Sequence, residues 1–169
     1  MILAIDIGNT NIVVGCIDEQ ETCFVERIST STDQTTLEYA ITFKNILELY
    51  HINPKGLEGA IISSVVPNIS NTVRRSVEKV IGKPCLLVGP GVKTGLNIQM
   101  DNPATVGSDL VVTAVAGIKE YKAPFVVIDM GTATTITCVD KNHNYIGGAI
   151  MPGVRVSLES LAQRAAQLH

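Results

Sequence analysis

Apolar and polar positions alternate between two periods along this chain, and the switches predict its elements. Ile2 to Ile7 is a short apolar run of strand length, and Asn11 to Ile17 is a second, rich in Val and Ile. Gly8-Asn9-Thr10 between them predicts a β-hairpin with a polar tip. Thr22 to Ile28 reads as a third strand. From Thr35 to Tyr50 the apolar positions Leu37, Ala40, Ile41, Ile46, Leu47 and Tyr50 take helical spacing, ended by Asn53-Pro54 and Gly56. Gly59 to Val66 is a strand. Asn68 is then expected to cap a helix whose inner face is Ile69, Val73, Val77, Val80 and Ile81. Cys85 to Val88 is a short strand, and Gly89 to Pro103 is a loop.

The second half repeats the style. Thr105 is expected to open a helix running to about Tyr121. Phe125 to Asp129, Thr134 to Val139 and Tyr145 to Ile150 read as strands, and a last helix is expected from Val156 through Leu158, Leu161, Ala162 and Ala165. This alternation predicts an α/β fold with mixed sheets. A strand, an Asp-x-Gly turn and a second strand occur at Asp6 and recur at Asp129. That echo suggests a duplicated domain with a ligand cleft between the halves, divided as 1–111 and 112–169.

Composition excludes several classes of function. The chain has 169 residues, 46% hydrophobic and 17% charged, which suits one ordinary domain or two small ones and not a disordered chain. A net charge of −3, no Trp and 4% aromatics offer neither a basic field nor a stacking surface for nucleic acid. No apolar run reaches the ~20 residues of a membrane span. Met1 to Ile5 lacks a basic flank and reads as a strand, not a signal peptide, so a cytoplasmic protein is expected. Cys16, Cys23, Cys85 and Cys138 are scattered without a Cys-x-x-Cys pair and are expected to be buried, reduced thiols. His51, His143 and His169 are isolated, which indicates no His/Cys metal site.

The two Asp-x-Gly turns carry the candidate chemistry. In Asp6-Ile7-Gly8-Asn9-Thr10-Asn11, Gly8 lets the backbone approach a ligand, and turn N–H groups with hydroxyl and amide side chains suit phosphate oxygens. Asp6 repels phosphate and would act through a cation, held directly or through water. These are also ordinary turn residues, and the repetition is what favours the functional reading. Asp129-Met130-Gly131-Thr132-Ala133-Thr134-Thr135 repeats the pattern with more hydroxyls, although Thr is common in strands. Gly147-Gly148-Ala149-Ile150-Met151-Pro152-Gly153 could let an adenine or ribose lie against the backbone. Gly89-Pro90-Gly91-Val92-Lys93-Thr94-Gly95 fails as a phosphate-binding P-loop because Val92, not Gly, precedes Lys93. Asp109, early in its helix, either complements the helix dipole or orients and deprotonates an attacking hydroxyl. Together these residues predict ATP-dependent phosphorylation of a small hydroxyl-bearing substrate.

The motifs occur in one order: Asp6-x-Gly8-Asn9-Thr10, Gly95-Leu96-Asn97, Asp101-Asn102-Pro103, Val106-Gly107-Ser108-Asp109, Asp129-x-Gly131-Thr132-Ala133-Thr134-Thr135, and Gly147-Gly148-x-Ile150-x-Pro152-Gly153. In that combination the whole chain resembles the type III pantothenate kinases of the actin/hexokinase/Hsp70-like ATPase superfamily. The resemblance implies two ribonuclease-H-like domains with ATP between them, and phosphorylation of pantothenate to 4′-phosphopantothenate, the first step toward coenzyme A. It implies ATP and phosphate contacts from Asp6, Gly8, Asn9, Thr10, Asn11 and Thr132, with Gly148, Pro152 and Gly153 in the adenosine motif. Asp109 would be the general base. Asp6 would hold Mg2+ or a similar divalent cation, and Asp129 would serve a potassium or ammonium site. Substrate contacts would fall on Met100, Gly107, Ser108, Asp109 and Leu110, in a homodimer whose substrate site draws on both subunits.

Three departures qualify the match. Leu110 stands where the family usually has Arg, and Met100 where it usually has Tyr, and Leu cannot imitate a planar charged donor. Family members are also longer. The second domain is therefore expected to be incomplete, to expose apolar surface and to lack full activity by itself. A non-catalytic nucleotide-binding regulator and a kinase for another small alcohol are the alternative functions.

Overall fold

A computed structural model describes residues 1–19 and 21–164. Ala165 and His169 lie outside the described residues. The chain packs as two compact units, the first Met1–Val92 and the second beginning at Lys93. This division falls earlier than residue 111, because the helix carrying Asp109 packs on strands of the second unit.

In the first unit, β1 (Ile2–Ile7), β2 (Asn11–Ile17), β3 (Thr22–Ser29), β4 (Gly59–Ser64) and β5 (Cys85–Leu87) form one sheet in the order β3-β2-β1-β4-β5. β1 is antiparallel to β2 and parallel to β4. Leu3, Ile5 and Ile7 alternate inward from β1, and Ile12, Val14 and Cys16 from β2. They meet Tyr39, Phe43 and Leu47 of α1 (Thr36–Leu49) and Ile69, Val73, Val77 and Ile81 of α2 (Pro67–Ile81) in one core. Burying each such side chain contributes roughly 1.5–3 kcal/mol, so this core holds the sheet and both helices as one body.

The helix ends are set locally. Thr35 and Glu38 form a reciprocal capping box at the start of α1. α2 starts at Pro67 with Val66 as its flanking residue, so Asn68 lies inside the first turn and does not cap. Pro67 suits that first position because its missing N–H has no helical acceptor. Gly82, with φ of 70°, closes the helix in the left-handed region.

In the second unit, β6 (Asn97–Ile98), β7 (Phe125–Met130), β8 (Ala133–Val139) and β9 (Asn144–Pro152) form a sheet ordered β6-β9-β8-β7. The antiparallel meander β7-β8-β9 repeats β1-β2-β3, which realises the predicted duplication. β6 interrupts the stretch expected to be a loop. Thr105 ends a short 3-10 turn, and α3 (Ser108–Glu120) opens from Gly107. α4 spans Val154–Arg164, two residues ahead of the expected start. Ala114 of α3 packs with Val139 and Tyr145 on one sheet face. Val126, Ile128 and Met130 of β7 are each more than half exposed, and among the described residues β7 pairs only with β8. The expected apolar surface is therefore present. Cys16 and Cys85 are buried and Cys138 is half-buried, but Cys23 is exposed, contrary to the expectation for all four thiols.

Candidate functional site

The first Asp-x-Gly turn is a hairpin held from three sides. Ile7 pairs with Ile12, and the Gly8 N–H donates to the Asn11 carbonyl at 2.9 Å, leaving Asn9 and Thr10 exposed at the tip. A Cβ on Gly8 would stand 3.1 Å from that carbonyl, tighter than ordinary contact. The Thr30 hydroxyl donates to the Gly8 carbonyl at 2.6 Å, and the Thr30 N–H donates to the Thr10 carbonyl at 3.0 Å. Thr30, which the motif reading missed, thus clamps the turn from the end of β3. A hydroxyl residue just past a strand was its only signal.

Asp6 is exposed on β1, in register with Val13 on one side and Ser63 on the other. Ser63 and Ser64 were also missed, since their place beside Asp6 and Ile7 depends on parallel pairing across more than fifty residues. The Val65 N–H donates to the Ile7 carbonyl at 3.0 Å, and the chain then turns into α2. The Ser64 hydroxyl accepts the Val66 N–H at 3.1 Å and lies 2.7 Å from the Ser70 hydroxyl. A helix N-terminus, with its partial positive charge, therefore opens at the same sheet end as the Asp6–Asn11 turn. That end is chemically suited to an anion.

The second turn is one residue tighter. Met130 pairs with Thr134, and the Gly131 N–H donates to the Ala133 carbonyl at 3.0 Å, so Thr132 alone forms the tip. Asp129 is exposed and pairs with Thr135. Register places Pro152 opposite Ala133, and the Gly153 N–H donates to the Thr132 carbonyl at 3.0 Å. Gly153 is buried there. A Cβ on it would overlap the Gly131 and Thr132 carbonyl oxygens. The Ser157 N–H donates to the Gly153 carbonyl at 2.9 Å, so α4 begins against this turn. Gly148 is opposite Thr137, and a Cβ on it would overlap the Ile136 carbonyl. The structure thus brings Thr132, Pro152 and Gly153 together, and explains two glycines by close backbone approach.

Asp109 is half-buried in the first turn of α3, after Gly107 and Ser108. Its charge reaches Tyr145 on β9. Burial pushes the Tyr145 hydroxyl above its usual range, a hydrogen bond with Thr137 opposes this, and Asp109 adds to the rise. Tyr145 and Thr137, both buried, are further neighbours the motifs did not reveal. Leu110 packs against the small core around Ala114 and Tyr145. The Met100 sulfur lies 3.5 Å from where a Gly147 Cβ would stand, which puts a predicted substrate residue over the glycine-rich strand. Asn97 has a structural task. Its amide donates to the Asn144 side chain at 2.7 Å, and Asn144 donates to Asp140 at 2.9 Å, fastening β6 to β9. Among the described residues no group of three or more His, Cys, Asp or Glu side chains gathers. A divalent ion at Asp6 would therefore rest on one carboxylate, water and phosphate oxygens, a donor set that suits Mg2+.

Comparison with known proteins agrees with the motif order. A family model described as type III pantothenate kinase matches residues 2–169. A curated relative named type III pantothenate kinase, from an Exiguobacterium species (strain AT1b), is 44% identical over 168 residues, which is 99% of this chain and 66% of the relative. The chain thus spans just under two thirds of that relative's length. Among solved structures, ethanolamine utilization protein EutJ from Carboxydothermus hydrogenoformans matches with a TM-score of 0.50 and 17% identity, over 95% of this chain and 56% of that one. A reductive activator for a corrinoid, iron–sulfur protein matches with a TM-score of 0.53 and 15% identity, over 83% and 29%. A Ppx/GppA phosphatase from Aquifex aeolicus matches with a TM-score of 0.51 and 14% identity, over 95% and 55%. These likenesses concern the fold alone, an α/β architecture with mixed sheets.

Proposed function

Because this chain belongs to the type III pantothenate kinase family, we propose that the full-length protein transfers the γ-phosphoryl group of ATP to pantothenate, giving 4′-phosphopantothenate for coenzyme A synthesis. The observation that carries this reading is the seating of Gly153 on the Thr132 turn. It joins the phosphate-type turn and the adenosine-type loop into one backbone surface, as a nucleotide requires.

In this reading Gly8, Asn9, Thr10 and Asn11 hold phosphate oxygens through turn N–H and side-chain donors, and Thr132 does the same from the second turn. Gly148, Pro152 and Gly153 receive the adenosine. Asp6 holds a divalent cation such as Mg2+, which supplies charge neutralisation to the phosphates when bound. Asp129 serves a potassium or ammonium ion. Gly107, Ser108, Leu110 and Met100 face pantothenate, and Asp109 orients its hydroxyl and accepts the proton. A loose phosphoryl-transfer transition state asks chiefly for such positioning. The working protein is a cytoplasmic homodimer whose substrate pocket draws on both copies.

Asp109→Asn in the full-length protein tests the assignment. The amide keeps the shape and loses the proton acceptor. ATP binding, read by titration with a fluorescent nucleotide, is expected to hold, while turnover with pantothenate falls roughly 100-fold or more. Near-full turnover would remove Asp109 from the role of base.

A further inference from the structure

At the end of β2 far from the phosphate-type turn, two thiols meet. Cys16 pairs with Phe24, while the next residue, Ile17, pairs with Thr22. Cys23 is the extra residue of this β-bulge. The bulge leaves Cys23 outside the ladder beside the Cys16–Phe24 pair, and the two thiols lie close enough for Cys23 to bear on the ionisation of Cys16. Cys16 is fully buried and also touches the Met1 sulfur at 3.9 Å, whereas Cys23 is exposed. Cys23 opens into a shallow depression of about 560 Å³ lined, among the described residues, also by Asp18, Glu19 and Glu21. The N-terminal ammonium stands 3.7 Å from Asp18 and 2.5 Å from Glu58, which leaves the cup with an acidic surplus.

We propose that Cys16 and Cys23 form a site of reversible thiol oxidation, in which Cys23 reacts with a small cationic disulfide and Cys16 resolves the adduct to a Cys16–Cys23 bridge. In the first step the Cys23 thiolate sulfur attacks one sulfur of the reagent. The reagent's S–S bond breaks, and its other half leaves as a thiolate that takes up the proton Cys23 released. In the second step Cys16 attacks the Cys23 sulfur, a second reagent thiol leaves, and the intramolecular bond forms. Two protein thiols are oxidised and one external disulfide is reduced to two thiols.

The geometry orders these steps. Only Cys23 is open to the reagent. Burial pushes the Cys16 thiol up to about 11, so Cys16 is suited to resolving the adduct and not to opening the reaction. The three carboxylates attract a cationic reagent and repel an anionic one, an effect that salt screens.

The test treats the full chain with cystamine, which is cationic, or with oxidised glutathione, which is anionic, and follows intact mass and cross-linked peptides. The expected course is a transient adduct on Cys23, then a species two hydrogens lighter than the reduced chain, carrying a Cys16–Cys23 peptide link that dithiothreitol reverses. Cystamine is expected to react roughly three- to tenfold faster at low ionic strength, with the difference collapsing in high salt. Cys23→Ser is expected to block the reaction, and Cys16→Ala to leave a persistent adduct on Cys23. A permanent adduct in the unaltered chain, a link to Cys85 or Cys138, or no reaction would overturn the bridge. Equal rates for the two reagents would overturn the cationic selectivity.

Discussion

Replacing Gly153 with alanine places a methyl group where two backbone carbonyls already stand. The built Cβ overlaps the Gly131 and Thr132 oxygens and lies 2.9 Å from the Thr132 carbonyl carbon. All three are backbone atoms in a hairpin tip, so no side chain can swing aside. The turn or the start of α4 must move, and the 3.0 Å bond from the Gly153 N–H to Thr132 lengthens or breaks. Overpacking of this kind costs about 1–3 kcal/mol. If ATP binding needs the native turn, that cost appears as roughly 5- to 150-fold weaker affinity. If the turn relaxes in the free protein, part of the cost appears as a lower melting temperature, roughly 2–4 °C per kcal/mol at this size. Fluorescent-nucleotide titration and a thermal melt on the same variant capture both shares. Gly56→Ala is the control, because a Cβ there meets nothing within 4 Å. Native affinity together with native melting in Gly153→Ala would refute the argument that this glycine builds the nucleotide surface.

Two further outcomes follow from the second unit. Leu110→Arg places a planar charged donor beside Asp109, the proposed base, and is expected to lower the KM for pantothenate several-fold with little change in the KM for ATP; an unchanged pantothenate KM, with the melt intact, would take Leu110 out of the proposed pocket. Asp140 accepts the Asn144 N–H, the Asn144 amide and the Asn142 N–H, and these bonds, led by the first, hold its carboxyl below the usual range. A depressed folded value means the stabilisation is present above the ordinary carboxylate range and is lost as pH falls through the folded value. Asp140→Ala is therefore expected to melt lower at neutral pH, with the gap to the parent chain closing in acid; a gap independent of pH would contradict this assignment.

What was legible in the sequence was local. The apolar run from Ile2 to Ile7, the helical stripe of Ile69, Val73 and Val77, and the paired Asp-x-Gly turns all declare themselves within a few residues. The features that escaped depend on distant pairing. Ser63 gains meaning only beside Asp6, and Thr30 only across the hairpin from Gly8. β6 is two residues long and exists because Asn97 and Asn144 meet. The sequence points to Thr105 as the opening of α3, while the chain spends that residue in a 3-10 turn before Gly107. In the sequence, Gly148 and Gly153 read as positions for ligand approach. The structure adds that each is also required by the backbone packed against it.

The central claim is phosphoryl transfer to pantothenate, and direct detection of the product tests it. Full-length protein incubated with ATP, Mg2+, potassium and pantothenate is expected to yield 4′-phosphopantothenate and ADP in equal amounts, measured by chromatography with mass detection. ATP binding with no phosphorylated pantothenate would contradict the account.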